Sequence, residues 1–407
     1  MKVIYFAEHF STPKTGGALR VYQMSKRLMS HGHQVTVVCG GDHKRLGLPE
    51  TSKKNIYRGV VDGIEVIQIS LPYSNNDSVG KRAIIFLKFA KKAIGLARKE
   101  DYDLLFATST PLTDGLPGIA AKWFRRKKFV FEVRDLWPEL PKALGMKNPF
   151  FLWGMSVLEK RSYHAADACI GLSPGICEGI KRRSQKGKPI AMIPNGCDLD
   201  IFSPSDSKPD CIPGVKPTDT VAVFTGAHGV ANGLDAVLDM AAVLKARGRD
   251  DIKMVFAGDG KLKPKLIERA NREGLNNCIF LDKMPKKELS DVMARADMGM
   301  MVLANVPAFY YGTSPNKFFD YIASGLPVVN NYPGWLADMI NENKCGVAIE
   351  PEKPELFADA MIKLAENPKL REEYGKNGRA LAEREFARDI LGKRFVEFLE
   401  KTFKQGK

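Results

Sequence analysis

The sequence predicts an α/β protein built on two parallel, doubly wound sheets. Short apolar, β-branched runs alternate with segments of helical spacing along nearly all of the 407 residues, the order that builds successive βα units. A stretch rich in Pro, Ser and Asp at 203–219 interrupts the alternation once, near the middle, and reads as a linker. The length exceeds one ordinary domain, and a composition 44% hydrophobic and 27% charged is globular, which excludes a disordered or collagen-like chain.

In the front half, KVIYFAE (2–8) is the first strand, a Gly-bearing turn follows, and 18–32 has helical spacing that ends at Gly32. Further strands are expected at 34–39, 63–70, 103–108, 128–133, 168–173 and 190–195, with helices between several of them. After the linker, strands are expected at 220–226, 252–258, 278–282, 298–304, 327–331 and 346–350. Helices fit 232–247, 262–273, 286–295, 315–324, 335–342 and 354–366, and the tail from about 369 is helical and charged. Two Rossmann-like domains follow from this, 1–202 and 203–384, with the tail at about 385–407 packing back on the first. Such a pair places a ligand cleft at the carboxyl ends of both sheets.

The net charge of +15 is one-sided: residues 1–200 carry 32 Lys and Arg against 18 Asp and Glu, the remainder 30 against 29. A positive front half attracts anionic partners: nucleic acid, phosphorylated ligands or an anionic membrane surface. In 81–99, Lys81, Lys88, Lys91, Lys92, Arg98 and Lys99 fall within an arc of about 120° on a helix. Two readings stand for this segment, a surface helix with solvated lysines and a helix that touches anionic headgroups. The basic and aromatic stretches 122–128 and 148–155 lie nearby in sequence and favour a membrane-facing front half.

No apolar run reaches the roughly 18 residues that span a bilayer, and VIYFA before Glu8 is too short for a signal-peptide core. The seven cysteines are scattered without a CxxC pair, as expected of buried thiols in a reducing cytoplasm. The sequence contains no zinc-ligand spacing, P-loop, GxSxG or HExxH, and no metal or other cofactor is expected. No nucleic-acid module is recognisable, and the aromatics are not interleaved with Arg as stacking platforms are; no nucleic-acid partner is expected.

GTSPNKFFDYIASGLPVV (312–329) carries the strongest local signal. Ser314 and Pro315 suit an N-cap and a first helical position, and Gly325 suits the other end. Free amides at Asn316 and Lys317 and the positive end of the helix dipole then form an anion seat. Lys317 in the first turn opposes that dipole unless an anion pairs with it, and Asp320 lies one turn on. The alternative is a well-capped helix with a solvated Lys and Asp. Thr15-Gly16-Gly17 after the first strand, and Gly226-Ala227-His228-Gly229 after the first strand of the back half, permit close approach of backbone to phosphate. Each is equally a βα turn that holds Gly for steric reasons, and Gly258-Asp259-Gly260 reads as a plain turn. FEVRDLWPEL (131–140) puts Arg134, Asp135 and Glu139 after a buried strand. They are either an ion pair orienting the loop, or an anion contact (Arg134) beside carboxylates for an acceptor hydroxyl. Among the histidines, His9 and His228 are expected to line the cleft, while His31 and His33 flank a helix end.

GGALRVYQMSKRLMSHGHQVTVV, IPNGCDLDIFSP (193–204), the turn at Gly226 and SPNKFFDYIASGLPVV resemble, in that order, glycosyltransferase family 4, enzymes of the GT-B fold. The WP-containing segment at 131–139 and the SPNK segment are similar to enzymes of O-antigen, capsule and exopolysaccharide assembly in bacteria, N-acetyl-L-fucosamine transferases in particular. The resemblance implies retaining transfer from a nucleotide-diphosphate sugar, with UDP as the expected carrier. The donor belongs in the back half, and a polyprenyl-diphosphate-linked saccharide acceptor in the front half. It also implies a peripheral protein at the cytoplasmic face of the membrane. Asp320 stands where the family has its second Glu, at the ribose hydroxyls. Gly16 and Gly17 match the loop at the diphosphate, and the segment from Lys283 to Pro285 matches the one that holds the base. The family's first Glu corresponds to Gly312, its Arg and Lys after strand 220–225 to Ala227 and Asn232, and its front-half His lies near Arg134. Lys317 is the replacement cation, with Arg134 a second and His228 a further diphosphate contact. Arg134, Asp135 and Lys317 are thus the catalytic candidates; Gly16, Gly17, Gly226, His228, Lys283, Ser314, Asn316, Lys317 and Asp320 the donor-binding ones; His9 and Glu139 the acceptor-binding ones. A nucleotide-sugar 2-epimerase on the same fold is the alternative, although few acid and base groups occur in the segments that face the cleft.

Overall fold

A computed structural model describes residues 1–15, 19–72, 77–205 and 207–405. The chain divides into two compact units, Met1–Pro194 with Gly312–Ser314 and Asp389–Lys407, and Asn195–Tyr311 with Pro315–Arg388. These divisions compare with sequence expectations of 202/203 and about 385. The expected linker, 203–219, carries no helix or strand among its described residues.

The first unit contains β1 (Lys2–Phe6), β2 (Gln34–Cys39), β3 (Ile56–Val61), β4 (Ile64–Ile69), β5 (Leu104–Thr108), β6 (Lys128–Val133), β7 (Ala168–Gly171) and β8 (Ile190–Met192). They form one sheet in the order β3-β4-β2-β1-β5-β6-β7-β8, parallel except for the β3/β4 hairpin. Both faces are covered, so the strands are apolar on both sides. Ile4 and Phe6 face a core shared with α2 (Val79–Lys99), α3 (Gly115–Arg125) and α5 (Pro149–Ala165), which follow α1 (Arg20–Ser30) and flank the short α4 (Glu139–Ala143). Val3, Tyr5 and Ala7 face the opposite core, built with α1 and the closing helix Arg388–Lys404, whose Phe395 meets the Phe106 ring edge-on at 5.0 Å. α6 (Pro174–Arg183), capped by Ser173, completes the layers.

Strand β3 was not expected. Its outer face is exposed and Gly59 interrupts it, so it lacks an apolar run. The signal that identifies it is Asp62-Gly63 between Val61 and Ile64. Both residues have positive φ (49° and 85°), as a two-residue hairpin turn requires.

The second unit has β9 (Thr220–Thr225), β10 (Ile252–Ala257), β11 (Cys278–Leu281), β12 (Met298–Met301), β13 (Val328–Asn330) and β14 (Gly346–Ala348), all parallel, in the order β11-β10-β9-β12-β13-β14. Its helices are α7 (Asp235–Ala246), α8 (Lys263–Glu273), α9 (Lys286–Arg295), the single turn α10 (Pro307–Tyr310), α11 (Asn316–Ala323), α12 (Trp335–Glu342), α13 (Pro354–Glu366) and α14 (Pro368–Leu381). All seven cysteines are free; Cys211 is exposed rather than buried. Among the described residues no helix is long and apolar enough to cross a membrane.

Candidate active site

In the second unit the strand order reverses between β9 and β12, which opens a crevice at their carboxyl ends. α11 is delivered there. It starts at Asn316, with Pro315 in the cap position and no side chain capping it. The expected cap at Ser314 is therefore corrected: Ser314 lies one residue too far from the helix and is grouped with the first unit. The amides of Asn316 and Lys317 precede the first helical hydrogen bond, from Phe318 N to Pro315 O. At the other end Gly325 (φ 68°) and Leu326 donate to Ile322 O and Tyr321 O, the double bond of a glycine C-cap.

Tyr321 anchors α11 over the sheet. Its hydroxyl accepts the Thr225 amide (2.9 Å) and donates to Met300 O (3.3 Å). Its ring lies flat where a side chain on Gly299 would be, at 2.4 Å from the position of a Cβ. This seating carries Lys317 across to the β9 loop. Its Nζ donates to Asn232 Oδ1 (2.7 Å) and stands 3.9 Å from the centroid of the Phe224 ring. Asn232 Nδ2 in turn donates to Ala227 O. Gly226 turns the loop beneath the lysine with φ 127°, a backbone conformation that a side chain would strain. Burial lowers the Lys317 pKa to about 7, so an arriving anion restores charge to a cation already in position.

Asp320 faces a different set of groups. It is buried, its Oδ1 has no partner, and burial raises its pKa to about 6; Lys286 and Arg388 act against the rise and Asp198 adds to it. Asp198 is itself ion-paired with Lys286 and Arg388. Lys283 is exposed after β11. Lys263, which drew no notice in the sequence, closes the same edge: its buried ammonium donates to Gly258 O, Leu281 O and Asp282 Oδ1.

His228 departs from expectation. Phe224, Phe256 and Phe280 lie in register on β9, β10 and β11, and all three rings pack round the imidazole. The ring is wholly buried with neither nitrogen partnered. Burial, then the charge of Lys263, lowers its pKa to about 4. A neutral, enclosed imidazole does not reach a diphosphate, so His228 does not line the site. Gly258 and Gly260 are more than a plain turn. Their missing side chains let the β10 loop lie against the backbone of Gly226 and His228, and His228 N donates to Asp259 O.

In the first unit the order reverses between β1 and β5. Gly16 and Gly17 lie outside the described residues. His9 is exposed; loss of hydration, then the charges of Arg134, Arg45 and Arg82, lowers its pKa to about 4 and leaves the ring neutral. The Arg134 amide donates to Ser109 Oγ (2.9 Å). Asp135 Oδ2 accepts from Thr110 Oγ1 (3.1 Å), and burial raises its pKa against the pull of Arg134. Glu139 is not gathered with them: it is exposed and paired with Arg183 on α6 (3.1 Å).

Two buried groups escaped the sequence reading. Glu132, the one acidic residue in strand β6, accepts from Arg20 (2.6 Å) and Thr108 (2.7 Å). Burial pushes its pKa up, but Arg20, Thr108 and Arg134 together outweigh that and the result is a lowered value. Arg20 also donates to Ile193 O and Pro194 O, fixing the end of the unit. At the β1/β5 reversal the Glu8 amide donates to Asp114 Oδ2 (2.9 Å), while both Glu8 oxygens and Asp114 Oδ1 are buried without partners. Burial raises Asp114 to about 8 and Glu8 to about 9, the latter helped by the Asp114 charge.

The profile described as Glycosyltransferase Family 4 matches residues 15–201, and that described as Glycosyl transferases group 1 matches 212–381. The two matches, one on each half of the chain, support a glycosyltransferase of family 4 type with the GT-B fold. It is similar to the alpha-D-kanosaminyltransferase of Streptomyces kanamyceticus, 23% identical over 172 residues, which span 42% of this chain and 43% of that relative's own length. Its fold matches sucrose-phosphate synthase from Thermosynechococcus elongatus (TM-score 0.78, 16% identity, all of both chains). It also matches the Anabaena protein HepE in complex with UDP and glucose (TM-score 0.71, 18% identity, 98% of this chain and 100% of that one). The profiles and relatives are transferases, which does not favour the epimerase alternative.

Proposed function

We propose that this glycosyltransferase moves a sugar from a nucleoside diphosphate, UDP in the first instance, to a lipid-linked saccharide with retention at the anomeric carbon. The observation that carries the reading is Lys317, held at the open start of α11 against Asn232 and Phe224. A diphosphate at this corner would meet two free amides, a helix dipole and a lysine whose charge returns on contact. As the bond from the anomeric carbon to the diphosphate oxygen breaks, these groups take up the developing negative charge. The acceptor hydroxyl forms the new bond on the same face, and its proton passes to the departing phosphate. Asp320 would meet the ribose hydroxyls, and the backbone near Lys283 the base. In the first unit Arg134 would meet an acceptor anion, and Asp135 and His9 its hydroxyls; Glu139, spent on Arg183, would add little.

The surface-polysaccharide setting, an N-acetylated deoxyhexosamine such as L-FucNAc as the sugar, and action at the cytoplasmic face of the membrane rest on the SPNK and WP segments. The UDP carrier draws support from the UDP-bound relative in fold. Incubation with UDP-, GDP- and dTDP-sugars tests the reading: free nucleotide should appear only when a lipid-linked acceptor is present. Lys317→Ala should lower kcat/KM about 100-fold. Unchanged turnover in that variant would remove the proposed leaving-group site, and acceptor-free interconversion of donors would point to an epimerase.

A further inference from the structure

Half of the exposed large hydrophobic side chains among the described residues lie on α2, α3 and α5, three helices in which α3 packs against both others on one face of the first sheet. Ile84 and Leu87 are 54% and 57% exposed, Trp123 and Phe124 65% and 63%, Phe150 and Trp153 83% and 69%. On α2 the exposed apolar pair shares its face with Lys88, Lys91 and Arg98, all within an arc of about 100°. Leu87 thus stands among the lysines rather than on the buried side of the helix. Arg98 lies over the Phe124 ring at 4.7 Å and joins the stripe on α2 to the aromatic pair on α3. Phe150 and Trp153, three residues apart, share one side of α5.

The charge on these helices has one sign. α2 and α3 contain no Asp or Glu, and α5 contains only Glu159, which is buried and paired with Arg183. Lys81 and Lys122 are ion-paired to Asp77 and Asp167, whereas Lys88, Lys91, Lys160 and Arg161 make no ion pair among the described residues. Exposed Trp and Phe mixed with unpaired Lys and Arg match the boundary between headgroups and acyl chains of an anionic bilayer. A second copy of the chain fits poorly, because a two-fold contact would set this basic face against itself.

We infer that the outer face of α2, α3 and α5 docks on anionic lipid, with the Trp123, Phe124, Phe150 and Trp153 side chains entering the interface and Lys88 and Lys91 on the headgroups. Binding then has a salt-sensitive electrostatic part and a salt-resistant apolar part. The inference deepens the membrane setting of the proposed function, but its test needs neither donor nor acceptor, so either can fail alone.

The chain has four Trp; Trp335 is buried and Trp137 partly so, which leaves Trp123 and Trp153 as the outward reporters. The full chain should float with phosphatidylcholine vesicles containing phosphatidylglycerol and not with phosphatidylcholine alone. High salt should weaken flotation without abolishing it, and brominated acyl chains should quench the tryptophan emission. Lys88→Ala/Lys91→Ala should weaken binding roughly 30-fold at low salt. W123A/F124A/W153A should lose the salt-resistant part of flotation while keeping the circular dichroism spectrum and a cooperative thermal transition, which shows that the protein still folds. Three results would overturn the inference: no flotation with either vesicle, flotation abolished by salt with no quenching, or a dimer in sedimentation that the triple substitution dissolves, which would assign the face to a second copy.

Discussion

Lys317 reaches from the first turn of α11 to Asn232, and its pKa of about 7 follows from burial. A diphosphate bound beside it raises that value, so between about 7 and the bound value the complex holds more protons than the free protein. Affinity for UDP should therefore be greatest below pH 7 and fall as pH rises, approaching tenfold per unit. Titration calorimetry across pH 6.5–9 checks this; in Lys317→Met the slope should vanish along with much of the affinity. Glu8 and Asp114 act on stability instead. Their folded values, about 9 and about 8, lie above the unfolded ones, so the native state holds the extra protons. Their effect is absent below about pH 4 and costs stability progressively as pH rises to about 8–9. Glu8→Gln should raise the melting temperature at pH 8 more than at pH 5. An equal shift at both values would show that the pair does not ionise as described.

At the scale of elements, the seat of α11 depends on Gly299. Gly299→Ala would drive a methyl group into the Tyr321 ring, an overpacking that costs about 1–3 kcal/mol. It should also weaken UDP binding, because Tyr321 ties α11 to Thr225 and Met300. Gly378→Ala on α14 is the matched control, since its methyl would meet Ile322 at an ordinary 3.4 Å; unfolding curves should show a gain of roughly 0.5–1 kcal/mol from helix propensity. The strands that are apolar on both faces and the helix with SPNK at its start were legible in the sequence, because local pattern dictates them. Strand β3 was legible only through Asp62-Gly63, since its own residues alternate weakly. The pairing of Lys317 with Asn232 was not legible: it exists because the sheet order sets β9 beside β12, and the two residues are 85 apart in the chain. The Glu8–Asp114 contact, 106 residues apart, was hidden for the same reason. His228 misled because a loop position implies exposure, whereas three in-register Phe rings enclose it.

At the scale of the whole molecule, apolar cores lie on both sides of the eight-stranded sheet, and another lies where α7, α8 and α13 cover the six-stranded sheet. The chain nevertheless returns to the first unit at its end, where Leu391, Phe395, Val396 and Leu399 fill the core beside α1. Phe395→Ala should destabilise the first unit by about 3–5 kcal/mol. The proposed donor groups, Lys317, Asp320 and Asn232, lie in the second unit. Calorimetry should therefore resolve two transitions that answer to different changes: Phe395→Ala lowers one, UDP raises the other. At a hundredfold excess over Kd the ligand contributes about 2.7 kcal/mol, which for a unit of this size is a rise of roughly 5–10 °C. If UDP instead raised the transition that Phe395→Ala lowers and left the other unmoved, the donor would belong to the first unit, and the assignment of Lys317 to the diphosphate would fail with it.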